Sequence, residues 1–257
     1  MDLQLEGRVA LVCGGSKGLG KACAVSLVRE GARVAVCARG EEALQETARE
    51  IGAFPVRCDV TVDEDRAQCV SAVARELGPV EILVNNAGGP PPGAFVEHDM
   101  ATWRRAVELG FLSAVDFTRR VLPSMQARKR GRIVNITSYG ALEYIPGLLL
   151  SSSIRPSVLA WTRGLAREVG ADNVGVVAIC QGLFRTERLG DLLGRRAAAA
   201  GRSPEAEETA WVAEVPMGRM GDPSELGDLV AYLASPRAAY ITGTAIAIEG
   251  GILRRLS

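Results

Sequence analysis

The chain has 257 residues, 47% of them apolar, with 30 basic side chains balanced by 30 acidic ones and a single histidine, His98. A neutral surface gives no electrostatic footprint for nucleic acid or an anionic membrane, and one histidine excludes a His-based metal site or a Ser-His-Asp triad, so no metal is expected. The opening MDLQLEGRVALV lacks the basic and long apolar stretches of a signal peptide, and the longest apolar runs, such as Val174–Cys180, are too short to span a bilayer.

Short apolar runs alternate with longer amphipathic ones along the chain. RVALVCG (8–14) reads as a buried strand and GKACAVSLVREG (20–31) as the helix after it. RVAVCAR (33–39) is the next strand, EEALQETAREIG (41–52) the next helix, FPVRCDV (54–60) a third strand, and 63–77 a further helix. VEILVNNAG (80–88) is a fourth strand, and residues 103–126 carry the 3.6-residue period of one long helix. GRIVNITS (131–138), VGVVAICQG (174–182) and AIAIEGG (245–251) complete the strands, with a helix over 156–169. Strands apolar on both faces and separated by helices imply a parallel sheet covered on both sides. No repeat or linker divides the chain, so one domain over 1–257 is expected, with the Arg-, Ala- and Glu-rich stretch 183–215 as a helical lid over a substrate. The six cysteines (13, 23, 37, 58, 69, 180) form no CxxC pair and read as buried thiols of a reducing, cytoplasmic compartment.

Between the first strand and first helix, CGGSKGLG sets Gly14, Gly15, Ser16, Lys17, Gly18, Leu19 and Gly20 in a turn that would let the backbone approach a pyrophosphate. The alternative is a tight strand–helix turn. After the second strand, an acid would accept the ribose hydroxyls of NAD. This chain has Arg39, with Lys17 in the glycine loop, two cations that favour a 2′-phosphate and hence NADPH/NADP. Solvated surface charges are the competing reading.

CGGSKGLG resembles the TGxxxGxG loop of the short-chain dehydrogenase/reductase family, with Cys13 in place of threonine. CDVT (58–61) is similar to the segment whose Asp59 and Val60 flank adenine there, and NNAG (85–88) to the stretch whose Asn86, Ala87 and Gly88 line the adenosine ribose. GRIVNITS resembles the strand ending in the family's active-site serine, here Ser138. The C-terminal GRMGDPSELGDLVAYLASPRAAYITG (218–243) and EGG (249–251) resemble its closing pattern. The resemblance covers essentially the whole chain. It implies an α/β, Rossmann-like, doubly wound sheet of seven parallel strands, a nicotinamide cofactor contacted also by Gly182, Leu183 and Thr186, and a homo-oligomer, dimer or tetramer, built on helices around 103–126 and 152–169.

The family's Tyr-x-x-x-Lys pair is absent. Counting from Ser138 and to LAREVG (165–170) puts Ser151 at the tyrosine position and Arg155 at the lysine position. Gly110 stands where an asparagine supports a proton-relay water, and Gln181 stands before Gly182 in place of proline. Ser151 is a weak acid with a short reach, and Arg155 can hold ribose hydroxyls but not shuttle a proton. Ser151 is therefore either catalytic or an N-cap, since Pro156 suits only a first helical turn and would start the helix near Ser151–Ser153. Tyr139 and Tyr144 are either relocated acids or pocket wall, beside a rim containing Pro90 and Pro91.

General acid catalysis contributes about 10²–10⁴-fold, and near-attack positioning an effective molarity of about 10⁵–10⁸ M. Hydride transfer can thus outlive the tyrosine if the substrate stabilises its own oxyanion. The expected reaction is NADPH-dependent reduction of a conjugated, quinone or phenol-flanked carbonyl on a bulky hydrophobic small molecule, a pattern similar to ketoreductases of aromatic polyketide (angucycline-type) tailoring in antibiotic biosynthesis. Two alternatives stand beside it: a 3-oxoacyl-thioester reductase of the fatty-acid type, and a catalytically silent NADP-binding regulator or scaffold.

Overall fold

The computed structural model describes residues 1–254, so the last three residues of the domain expected over 1–257 lie outside the described part. Seven parallel strands form one sheet: β1 (Val9–Cys13), β2 (Arg33–Ala38), β3 (Phe54–Arg57), β4 (Ile82–Asn85), β5 (Gly131–Ser138), β6 (Val174–Gln181) and β7 (Ala245–Ile248). Their spatial order is β3-β2-β1-β4-β5-β6-β7, reversing direction of growth between β1 and β4. Such a switch point opens a crevice at the carboxyl ends of the strands.

Helices α1 (Gly18–Arg29) and α2 (Glu41–Ile51) pack on one sheet face with α9 (Pro223–Ala234); α3 (Asp63–Glu76), α5 (Ser113–Ala127) and α6 (Leu149–Val169) cover the other. Side chains alternate along each strand, so β1 sends Ala10 and Val12 into the first layer and Val9, Leu11 and Cys13 into the second. The close approach of α1 and α9 depends on Gly227, where a Cβ would stand 2.5 Å from the Ala22 carbonyl oxygen.

Two expectations change in detail. The helix expected over 103–126 is α4 (Met100–Val107), a π-helical turn over Glu108–Leu112, and α5. Gly110 sits in that turn, where a Cβ would come within 3.2 Å of Ile154. The buried Arg66 of α3 braces the same place, donating to Glu108 Oε1 and Asp116 Oδ2, each at 2.7 Å. Helix α6 begins at Leu149, not near Ser151–Ser153, and Pro156 lies inside it. Pro156 is tolerated because it is exposed, so solvent can replace the N–H that Ser152's carbonyl loses.

All six cysteines are buried and none is in a disulfide. Four distant ones meet: Cys13, Cys37 and Cys58 at the ends of β1, β2 and β3, and Cys69 of α3. The sulfurs of Cys37, Cys58 and Cys69 lie within 4.8 Å of one another. Contact with Cys37, added to burial, pushes the Cys13 and Cys69 thiols up, so they pack as small apolar groups. Residues 183–215 contribute α7 (Glu187–Ala200) and α8 (Pro204–Val212), two helices over the crevice. Among the described residues no helix is long and apolar enough to cross a membrane.

Candidate active site

The turn from β1 to α1 is fixed by backbone approach. Gly14 (φ 60°) and Gly18 (φ 53°) adopt the left-handed conformation that glycine enters freely. A Cβ on Gly14 would stand 2.9 Å from Asn86, one on Gly15 2.8 Å from Val36, and one on Gly20 would collide with the Gly14 carbonyl. Asn86 Nδ2 donates to the carbonyls of Cys13 (3.2 Å) and Gly14 (3.4 Å). The Ser16 carbonyl accepts from the Thr47 hydroxyl at 2.8 Å, fastening the loop to α2. Helix α1 has neither a side-chain cap nor an acid in its first turn, and Gly18 and Leu19 line the crevice. Its leading N–H groups are therefore available to an anion, which fits a dinucleotide pyrophosphate. Ala87 and Gly88 continue the floor, and Gly182, Leu183 and Thr186 form the facing wall. Thr186 also caps α7, its hydroxyl accepting from the Leu189 N–H at 3.3 Å.

At the adenosine end, the Arg39 side chain is 77% exposed and only loosely paired, 3.9 Å from Asp59 Oδ2. Against the cost of burial, the Thr61 hydroxyl and N–H, together with Arg39, hold the Asp59 carboxyl below its ordinary value. Val60 lines a small cavity beside Asn86 and Gly88, and its carbonyl accepts from Arg66 at 2.7 Å. Lys17 does not join Arg39. Its Nζ pairs with Glu187 Oε2 of α7 at 2.9 Å, and that carboxylate pushes the lysine up. The expected pair of cations is thus one exposed arginine and one lysine drawn toward the lid.

At the catalytic end, parallel register sets Ser138 of β5 directly beside Gln181 of β6. The Ser138 hydroxyl accepts from the Gly140 N–H at 3.1 Å. One helical turn separates Ser151 from Arg155 on α6, and Arg155 Nε donates to Ser151 Oγ at 2.9 Å. Ser151 is not an N-cap: Leu148 holds that position without a side-chain bond, and it is Ser152 that accepts from the Ile145 N–H, at 3.3 Å. Burial, helped by the neighbouring charge of Arg188 and opposed by Cys180, pushes Arg155 down to about 10, still a cation at neutral pH. Burial, with Glu214 and Glu143, pushes the Tyr139 phenol up to about 12, which makes it a poor acid.

Ser138, Tyr139, Ser151, Arg155 and Gln181 share one cleft of about 440 Å³ with the dinucleotide-facing residues. Two expected wall residues lie outside it. Pro91 is exposed while Pro90 and Pro92 line the cleft, because successive residues of an extended proline run point in different directions. Tyr144 is 57% exposed, on a loop held to the proline rim by the Gly93 N–H bond to Gly147's carbonyl at 2.9 Å. Sequence reasoning missed Arg188, Leu192 and Trp211, which α7 and α8 bring to the cleft. All three lie in the stretch 183–215, and how that lid packs decides which of its side chains face the cleft. Behind Arg155 a second cavity of about 30 Å³, the room of one water, lies between Gly110, Ser113, Asn85 and Asn135. Around the Ser151–Arg155 pair the cleft therefore offers the Ser138 and Ser151 hydroxyls, the Gln181 amide and the Arg155 cation, a set that stabilises an oxyanion.

A family model described as enoyl-(acyl carrier protein) reductase matches residues 14–253. The chain belongs to the short-chain dehydrogenase/reductase family. It is 33% identical to the 3-oxoacyl-[acyl-carrier-protein] reductase FabG of Vibrio cholerae, over 97% of this chain and 99% of that one. It is 35% identical to an actinorhodin polyketide ketoreductase solved with NADPH, with a TM-score of 0.93 over 96% of this chain and 98% of the other. It is 30% identical to L-sorbose reductase of Gluconobacter frateurii, solved with NADPH and L-sorbose, with a TM-score of 0.95 over the whole of both chains. This short-chain dehydrogenase/reductase is accordingly an NADP(H)-dependent oxidoreductase of the ketoreductase type, on a Rossmann-like all-parallel sheet.

Proposed function

We propose that this protein reduces an activated carbonyl (conjugated, quinone or phenol-flanked) on a bulky hydrophobic substrate, with NADPH, in the tailoring of an aromatic polyketide. One observation carries the reading: the group one turn before Arg155 is a serine held at 2.9 Å by a guanidinium that keeps its protons. Bound NADPH supplies hydride. Ser138, Gln181 and Arg155 hold the oxygen that gains charge, and a serine hydroxyl or the substrate's own phenol returns the proton after that charge has spread into the conjugated system. An aliphatic ketone offers no such spreading and suits the site poorly. The apolar wall of Ile145, Leu148, Leu192 and Trp211 fits a planar hydrophobic body, and 35% identity to a polyketide ketoreductase supports the context. Arg39, where an acid would select NAD, supports the phosphorylated dinucleotide.

The catalytic set in this reading is Ser138, Ser151 and Arg155, in a cytoplasmic dimer or tetramer assembled on α5 and α6, which sedimentation would size. The test follows NADPH absorbance at 340 nm with 9,10-phenanthrenequinone, polycyclic phenolic ketones and acetoacetyl-CoA. Turnover of the aromatic carbonyls with little of the thioester is expected. Tight NADPH binding with no turnover across the panel would replace the reductase by a silent dinucleotide-binding protein. Efficient acetoacetyl-CoA reduction would replace it by the thioester reductase that the 33% identity to FabG offers.

A further inference from the structure

Two arginines enter the reaction cleft without a carboxylate partner. Arg155 makes its hydrogen bond to Ser151, and Arg188 makes a long one, 3.4 Å from Nη2, to the Pro90 carbonyl. Neither is in an ion pair among the described residues, although both line the same cleft. They are close enough for the charge of Arg188 to add to burial in pushing Arg155 down; Arg188 itself is an exposed residue whose guanidinium end is part-buried against the proline rim. Two acids share the cleft wall, Glu187 and Asp191. Glu187 is taken by Lys17 at 2.9 Å. Asp191 offsets the Arg188 charge only in part and is itself opposed there by Arg195. Like charges brought together in a part-buried cleft raise the energy of the ligand-free protein, and an anion between them relieves it.

The position of Arg188 decides which anion. Its guanidinium lies over Gly89, where a Cβ would meet it, and reaches the Pro90 carbonyl of the proline rim. The pyrophosphate end of the cleft is the glycine loop and the α1 N-terminus, where Lys17 is already engaged by the lid. Arg188 instead borders the apolar wall that contains Leu192 and Trp211. Four of its five N–H groups are not used by the Pro90 carbonyl, and a planar guanidinium fork matches a carboxylate.

We infer that the substrate carries a carboxylate beside its activated carbonyl, held by Arg188 while Arg155 faces the reacting oxygen. This rests on the reductase reading above and narrows its substrate class to acidic aromatic carbonyl compounds.

The test compares benzoylformate with its methyl ester, two aryl ketones of the same shape that differ in the anion; the ester is intrinsically the more electrophilic, so a preference for the acid runs against reactivity. Wild-type kcat/KM should favour the acid by about 10–100-fold, the range of a charge-assisted pair. In Arg188→Met that ratio should fall to one or below while the NADPH Kd stays within about threefold, and Arg188→Lys should restore part of the ratio. Thermal unfolding of each variant confirms that the fold is retained. A wild-type ratio near one overturns the inference and leaves the reductase reading standing. An Arg188→Met variant that binds NADPH ten times more weakly and loses both substrates alike also overturns it, because Arg188 then holds the dinucleotide phosphates. If neither ketone turns over, the reductase reading fails for this substrate class. Binding to the NADP⁺ complex, read by tryptophan quenching, then decides the inference: tighter binding of the acid, lost in Arg188→Met, supports it, and equal binding of acid and ester refutes it.

Discussion

Arg155→Met should make the protein more stable and nearly inactive. Burial, helped by Arg188, pushes Arg155 from the ordinary arginine range down to about 10, and each tenfold change in proton affinity corresponds to about 1.36 kcal/mol. Keeping the cation in the cleft therefore costs the fold about 3 kcal/mol. Methionine fills similar space on a helix with similar propensity and gives up one hydrogen bond to Ser151, about 1.5 kcal/mol or slightly more. The balance is a gain of about 1–2 kcal/mol, or roughly 2–6 °C in Tm for a chain of this size. The same substitution removes a donor to the developing oxyanion, which costs about 10²–10³ in kcat. Circular dichroism melting of the dinucleotide-free protein measures the first effect, and NADPH oxidation with phenanthrenequinone the second. The linkage has a definite sign: a cation whose folded pKa is lowered is disfavoured by folding, so stability should rise as pH climbs past about 10, and the variant should lose that rise. A Tm that falls by several degrees, with turnover within threefold of wild type, would refute both the charge argument and the assigned role.

Arg39→Glu should raise the NADPH Kd by about 10–100-fold and improve NADH binding, measured by fluorescence titration; an unchanged NADPH Kd would move the 2′-phosphate elsewhere. Arg66→Met strands Glu108 on the π-helical turn and leaves Asp116 of α5 with Arg120 alone, and should cost about 2–4 kcal/mol, or roughly 5–12 °C in Tm. Although burial opposes it, Asp116 is held below its ordinary value by Arg120 and Arg66. Its contribution is therefore present above about pH 4 and is lost on acidification, and the loss between pH 5 and 3 should be smaller in Arg66→Met. The double substitution Ser151→Tyr with Arg155→Lys should gain reduction of an aliphatic 3-oxo ester and lose about tenfold or more on quinones, read at 340 nm. Gain on both substrates would show that serine confers no selectivity.

The dinucleotide end was legible because backbone determines it. Gly14, Gly18 and Gly20 are required by turn geometry and close packing, and Asn86 by carbonyls that need a donor, so residue type and spacing carry the information. The strands were legible because both faces of a parallel sheet demand apolar residues. The catalytic end was only half legible. Interval alone was enough to expect Ser138 and Arg155 at one cleft, where both lie, but the start of α6 was misplaced, because Pro156 looks like a first-turn residue unless its exposure is known. Lys17 was assigned to the 2′-phosphate, and no local pattern reveals that Glu187, 170 residues away, competes for it. The thiol cluster is the same kind of fact. Cys13, Cys37, Cys58 and Cys69 meet only because β1, β2 and β3 are neighbours in register.

This division explains how such a site could change its chemistry without losing its fold. The glycine loop cannot accept a Cβ at Gly14 or Gly20 without displacing Asn86 or its own carbonyl, so that end tolerates almost no drift. Ser151, Arg155 and Arg188 are side chains on α6 and α7 that face a cleft and contribute nothing to the two large apolar layers. Side chains at these positions can be exchanged while leaving the two apolar layers and the glycine loop in place. The packing of the fold and the chemistry of the cleft are then set largely by different residues. In the proposed reading, a cleft with two arginines outside any ion pair among the described residues is suited to holding negative charge, on the reacting oxygen and on the group beside it.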